Sequence, residues 1–275
     1  MTTQNDSPII WYIPGLFSGD NPQNTALILL RKIYPNATEI KHLCWENKAE
    51  ESISLEPLES IFSAFTLLDI PSLLSDLSNY TKFLTIPVDL GKKGLEIFKG
   101  RLKKSIEAAE KMAQMLSDRI ANMPSSQRKK LILIGHSLGG YIIIRTLAKL
   151  HPQDLSIHSG VLLGAAIDNK DIDILSAVKA TQKGIFSMVN PDDNALAGFQ
   201  LATGKYALGT GCGLIRFDHT KYREIVTLKS IEHSSFFYLC QWAEANNIPI
   251  DYKKIPFQLI EEIINLLGLR DVEDN

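Results

Sequence analysis

Cysteine is scarce in this 275-residue chain: Cys44, Cys212 and Cys240 are the only three, and they stand far apart. No two of them form a C-x-x-C pair, which argues against a paired-cysteine zinc site and against a disulfide framework. Buried thiols acting as small hydrophobes in a reducing compartment are expected instead. The sequence has no run of about 18 apolar residues, so no membrane-spanning helix is expected. It has no basic stripe either. The net charge is −2 and the isoelectric point about 6.3, which makes nucleic acid an unexpected partner. Met1 to Pro8 are polar and lack the basic and apolar regions of a signal peptide. A cytoplasmic location is expected, with export by a signal-independent route left open. Internal repeats and low-complexity tracts are absent, and Arg270 to Asn275 read as a frayed acidic tail.

What remains is an ordinary globular composition, 45% hydrophobic and 22% charged, with enough apolar material for one large α/β domain spanning residues 1–275. Ile9-Ile10-Trp11-Tyr12-Ile13 is a continuous apolar run stopped by Pro14-Gly15 and reads as a buried strand. Thr25 to Tyr34 predicts a helix, and Ala37 to Leu43 a second strand. From about Glu46 to Gly91 the apolar residues fall at helical spacing, in pieces broken by Pro57, Pro71 and Pro87. A long amphipathic helix is expected from about Gly94 to Met123, with Leu95, Phe98, Leu102, Ile106, Ala109, Met112, Ala113, Leu116 and Ile120 on one face. Further strands are predicted at Leu131 to Ile134, Gly160 to Gly164, Ile185 to Val189 and Glu224 to Leu228. A last helix is expected from about Phe257 to Leu267. Alternating strands and helices imply a mostly parallel sheet with helices on both faces and its sites at the carboxyl ends of the strands.

One of those ends carries the densest chemistry. The strand at Leu131 to Ile134 runs into Gly135-His136-Ser137-Leu138-Gly139, and a helical segment leaves it. G-x-S-x-G between a strand and a helix is the context of a nucleophile elbow, in which the serine backbone is strained and flanking glycines avoid collisions. Ser137 would then stand at a helix N-terminus that favours a developing oxyanion. The bland alternative is a plain strand-to-helix turn.

A serine hydroxyl needs a base, normally histidine, oriented by a carboxylate, and with this elbow the chain order is Ser, then Asp or Glu, then His. Of six histidines, His42 precedes the motif, His136 lies inside it, His151 ends the following helix and His158 enters a strand. His233 follows the last predicted strand and is favoured over His219, which precedes it. The acid should follow a strand between Ser137 and His233. Asp168, Asp192 and Asp193 qualify; the loop Val189-Asn190-Pro191-Asp192-Asp193 is favoured, and within it Asp193 over Asp192. The same residues also read as a turn and helix cap. Two backbone N–H groups must hold the oxyanion. Leu138 supplies one, and the loop after the first strand the other, from Leu16 in preference to Phe17, since Pro14 has no N–H.

This order on alternating units resembles the α/β-hydrolase superfamily. More narrowly, the chain is similar to the serine hydrolases of the transmembrane-and-coiled-coil-domain family over roughly Leu131 to Phe237. The shared segments are Gly135 to Gly139, Val161-Leu162-Leu163-Gly164-Ala165, Val189-Asn190 with Asp193-Asn194-Ala195-Leu196, Gly211-Cys212-Gly213-Leu214 and Glu232-His233-Ser234. Asn194 departs from the bulky aromatic that relatives often carry after the acid. Their membrane spans have no counterpart here. The resemblance implies an α/β-hydrolase fold with a helical cap inserted at about 46–91.

The expectation is therefore a serine esterase or lipase-type hydrolase that works through an acyl-enzyme, with Ser137, His233 and Asp193 as triad and no metal or organic cofactor. A thioesterase or amidase would use the same triad, and a non-catalytic scaffold binding a lipid or protein is the rival from another class. Ile61, Phe62, Phe65, Leu67, Leu68, Leu73 and Leu74 in the insert suit an acyl chain, a membrane surface for peripheral contact, or simply packing of the cap onto the body. The expected substrate is a small-molecule or lipid ester; the oligomeric state is open, and the long helix is a candidate dimer face.

Overall fold

The computed structural model describes residues 7–15, 30–31, 34, 36–43, 45, 88–191, 193–211 and 221–226. Among them the apolar runs form strands β1 (Ile9–Ile13), β2 (Glu39–His42), β3 (Leu131–His136), β4 (Ile157–Leu163), β5 (Thr181–Val189) and β6 (Tyr222–Val226). They make one sheet in the order β2-β1-β3-β4-β5-β6, with every pairing parallel. The helices are α1 (Val88–Ala121), α2 (Ser125–Arg128), α3 (Leu138–Leu150), α4 (Asp173–Lys179) and α5 (Asn194–Thr203).

The sheet is a middle layer. Ile9, Trp11, Ile13, Leu131, Leu133 and Ile185 share one apolar cluster with residues of α1, α3 and α4. Their alternates Ile10, Tyr12, Ile132, Ile134, Phe186 and Met188 point to the other face and are buried as well. Burial on both faces is why β1 and β3 read as continuous apolar runs rather than as alternation. In the helical layer α3 lies between α1 and α4 and against β1 and β3. It is apolar nearly all round, with Ile142, Ile143, Ile144 and Leu147 fully buried, as that central place demands. Phe98, Leu102, Ala109, Ala113, Leu116 and Ile120 form the buried face of α1 as its spacing predicts, while Met115 stands exposed.

Element ends differ from the sequence reading for local reasons. Helix α1 begins at Val88 rather than Gly94. Gly91 and Gly94 each cost about 1 kcal/mol relative to alanine inside a helix, too little to stop one of 34 residues. Strand β5 begins at Thr181 rather than Ile185, because its polar start still joins the ladder through Ile157↔Thr181. Strand β6 includes Tyr222 and Arg223 ahead of the expected start at Glu224, through its register with Ile185 to Val189; Thr227 and Leu228 lie outside the described residues. Strand β2 is shorter than Ala37 to Leu43. Of the insert expected at about 46–91, residues 88–91 form the start of α1 and residues 46–87 lie outside the described residues, as do most of the helix at 25–34 and the helix at 257–267. No helix among the described residues is long and apolar enough to cross a membrane.

Candidate active site

The chain leaves β1 for β2 on one side and later returns to β3 on the other, so the winding direction reverses between β1 and β3. In open parallel sheets such a reversal opens a crevice at the carboxyl ends of the two strands, where ligands bind. Ser137 stands there, as the one-residue turn between β3 and α3. Its φ of 53° and ψ of −120° are rare for an L-residue; Asp154 is the one other described non-glycine with positive φ.

The strain is held by main chain. The Ser137 N–H donates to the Leu163 carbonyl at 3.0 Å, and its own carbonyl accepts from the N–H groups of Gly140 (3.0 Å) and Ala166 (3.1 Å). The end of β4 thus grips the turn from both sides. The neighbouring glycines are steric requirements. A Cβ on Gly139 would lie 2.1 Å from the Ile13 carbonyl oxygen, one on Gly135 2.6 Å from the Gly139 backbone, and one on Gly140 2.7 Å from the Ala165 Cβ. Helix α3 therefore begins pressed against the ends of β1 and β4. Leu138 is its first residue, so its N–H has no carbonyl one turn back to satisfy it.

The loop after β1 also reaches the serine: a Cβ on Gly15 would stand 2.7 Å from the Ser137 Cβ. Ser137 itself is 9% exposed.

The acid loop follows β5. Asp193 is buried and caps α5, its Oδ1 accepting the Leu196 N–H at 3.0 Å. The cap predicted for this loop is present. Two neighbours hold the loop in place. Asp193 N–H donates to the Asn190 carbonyl at 3.2 Å, and Asn190 N–H donates to the Gly209 carbonyl at 2.8 Å. Gly209 packs so closely on Gly164 that its Cβ would lie 2.4 Å from that backbone. A short turn at Leu208–Thr210 thereby ties the loops after β4 and β5 together. Asp168 is differently committed: Oδ1 accepts the Lys170 N–H at 3.0 Å and Oδ2 pairs with the Lys205 ammonium at 3.2 Å.

Ser137 and Asp193 thus follow β3 and β5, on the same edge of the sheet with β4 between them. Two strand spacings put those ends about 10 Å apart, a gap that a bridging side chain would have to fill. His233, His219, Asp192, Leu16 and Phe17 lie outside the described residues. Among the other histidines, His136 ends β3, His42 ends β2 and stacks on Tyr12, and His158 begins β4 with its Nδ1 3.0 Å from the Ser159 hydroxyl. Among the described residues no group of three or more His, Cys, Asp or Glu is arranged to hold a metal ion.

Two features escaped the sequence reading. The Trp45 indole donates to the Pro14 carbonyl at 2.7 Å, and no local pattern marks a pair 31 residues apart. Arg145 on α3 gathers Glu110 from α1, Asp171 from just before α4 and Asp173 from its start, all far from it in the sequence.

The class defined by these observations is a parallel α/β protein with a strained serine turn at its topological switch point. Comparison with protein-family models, with curated proteins and with solved structures finds no match to the chain.

Proposed function

We propose that the protein is a serine hydrolase of the α/β-hydrolase fold that cleaves carboxylic esters through an acyl-enzyme. One observation carries the reading. A serine is held at φ 53° in a glycine-locked turn, at the carboxyl edge of a parallel sheet and at its point of reversal. Backbone strain persists where surrounding structure over-determines it, and such residues cluster at active sites.

In the proposed reaction His233 takes the Ser137 proton as the oxygen attacks the ester carbonyl. The N–H groups of Leu138 and Leu16 receive the oxyanion, and Asp193 orients the imidazole and stabilises its charged form. The protonated imidazole gives its proton to the departing alcohol. Water then hydrolyses the acyl-enzyme with His233 again as base, restoring the Ser137 hydroxyl. The same proton transfer from the imidazole serves a thiol or an amine leaving group, so thioesters and amides are chemically accessible to the same machinery. The apolar insert at 46–91 lines the acyl side in this reading, and the substrate is a small-molecule or lipid ester.

Labelling with a fluorophosphonate probe tests it. Wild type is expected to label covalently, and Ser137→Ala and His233→Ala are not. Folded wild type that stays unlabelled both in buffer and in detergent micelles would overturn the reading in favour of a non-catalytic scaffold. A panel of p-nitrophenyl esters then addresses the insert: activity confined to the acetyl ester would remove the acyl-pocket role.

A further inference from the structure

The loop after β1 is gripped by a side chain that arrives from beyond β2. The β1–β2 pairing continues past the strand ends, with Leu43 N–H donating to the Tyr12 carbonyl at 2.8 Å. Two residues later the Trp45 indole Nε1 donates to the Pro14 carbonyl at 2.7 Å. That carbonyl belongs to the peptide joining Pro14 to Gly15. Because the peptide is planar, one strong bond to its oxygen fixes the rotation of the whole unit.

Both ends of this peptide bear on the serine turn. On one side, a Cβ on Gly15 would lie 2.7 Å from the Ser137 Cβ and 3.2 Å from the His136 carbonyl oxygen. On the other, a Cβ on Gly139 would lie 2.9 Å from the Pro14 carbonyl oxygen itself. The oxygen that Trp45 holds is thus packed on the first turn of α3, and the residue that follows it is packed on the nucleophile. Rotation of the Pro14–Gly15 peptide would move Gly15 into or away from Ser137 and would redirect the chain as it enters Leu16.

We propose that Trp45 is a positioning residue for the reaction. Its indole N–H locks the Pro14–Gly15 peptide against the serine turn, which keeps the loop after β1 in register with the nucleophile. The inference rests on the hydrolase reading above. The indole body has a separate role, packing against the apolar cluster. The two roles can therefore be separated: benzothienylalanine at position 45 keeps the bicyclic shape and deletes only the donor, and Trp45→Phe deletes the donor together with part of the ring that packs on the cluster.

The experiment compares wild type, Ser137→Ala and Trp45→Phe for the rate of fluorophosphonate labelling and for kcat and KM on p-nitrophenyl butyrate, with Tm measured alongside. Small misplacement of reacting groups lowers the chemical step more than binding. Trp45→Phe is expected to lower the labelling rate and kcat by about tenfold with KM within about twofold and Tm nearly unchanged. Wild-type labelling and kcat in Trp45→Phe would overturn the proposal, and so would a raised KM at constant kcat. If Trp45→Phe does not fold, a benzothienylalanine at position 45 keeps the indole shape with sulfur in place of N–H, and the same outcomes decide. Wild type that labels no better than Ser137→Ala would overturn the hydrolase reading and this one together; wild type that labels, with an unaffected variant, overturns this one alone.

Discussion

Helix α3 carries two kinds of construction less than two turns apart. At its N-terminus the structure is made of main chain. Gly135, Gly139 and Gly140 have no room for a Cβ, and Ser137 is held by three backbone hydrogen bonds. Further along, the construction is made of side chains. Arg145 forks onto Asp171, with Nη2 2.9 Å from Oδ2 and Nη1 3.3 Å from Oδ1. It also pairs with Asp173, and its Nε lies 3.1 Å from Glu110. The Tyr141 hydroxyl donates to the same Glu110 at 2.6 Å, and burial, with that hydrogen bond, pushes the phenol up to about 12. Main-chain contacts have no rotamers with which to yield. A charged cluster has several partners and access to water. The first should fail abruptly on addition of a single atom, and the second by degrees.

The largest effect is therefore expected at Gly139. An added Cβ would sit 2.1 Å from the carbonyl oxygen of Ile13, the last residue of β1. Relief requires α3 and β1 to separate. Gly139→Ala is expected to lose more than the roughly 1–3 kcal/mol of ordinary overpacking, measured by urea denaturation. A loss under about 1 kcal/mol would show that the helix start is compliant and would break the contrast.

Arg145 gives the intermediate case. Removing it strands Asp171, which is 13% exposed, and opens the contact between α1, α3 and the start of α4. Arg145→Ala is expected to cost about 2 kcal/mol, less than a fully buried pair because water reaches the cluster. Arg145→Lys keeps the charge and loses the fork, and should cost about half as much. Equal losses for the two variants would mean that guanidinium geometry, not charge, holds the helices. A loss at Arg145→Ala as large as at Gly139→Ala would erase the distinction between the two constructions.

The same distinction decided how much was legible in the sequence. The serine turn could be read because its pattern is local: a strand, a serine and its flanking glycines Gly135, Gly139 and Gly140 fall within ten residues. The strands β1 and β3 could be read because burial on both faces leaves an unbroken apolar run. The cap at Asp193 was legible from its turn chemistry. Strand β2 is shorter than Ala37 to Leu43 because its residues are only half-buried, so no change from apolar to polar marks where the ladder ends. The partners of Arg145 lie 26, 28 and 35 positions away, the first two after it and the last before, where no periodic pattern reaches. Trp45 and Pro14 are invisible for the same reason. The proposed base His233 and the donor Leu16 fall outside the described residues, so the expectations for them stand on chain order alone.

The smallest effect concerns groups in neither construction. Burial holds the imidazoles of His42 and His158 below the usual histidine range, with the nearby Lys183 ammonium adding to the effect at His158. Both are therefore disposed to be neutral in the folded chain and take a proton more readily once it unfolds. With the folded value depressed, the unfolded state binds more protons as the pH drops through the histidine range near 6.5, and stability falls with it. Above that range the contribution is constant. Glu224 acts with the opposite sign and lower on the scale: burial raises its carboxyl, so its effect favours the fold as the pH falls toward the carboxylate range. Raw melting curves would mix the two. The difference between wild type and His158→Gln isolates the histidine, and the fall in Tm between about pH 7.5 and 5.5 is expected to be shallower in the variant. Parallel curves would mean that His158 is solvated well enough to titrate alike in both states, and that the end of the sheet where β4 begins is more open to water than its burial implies.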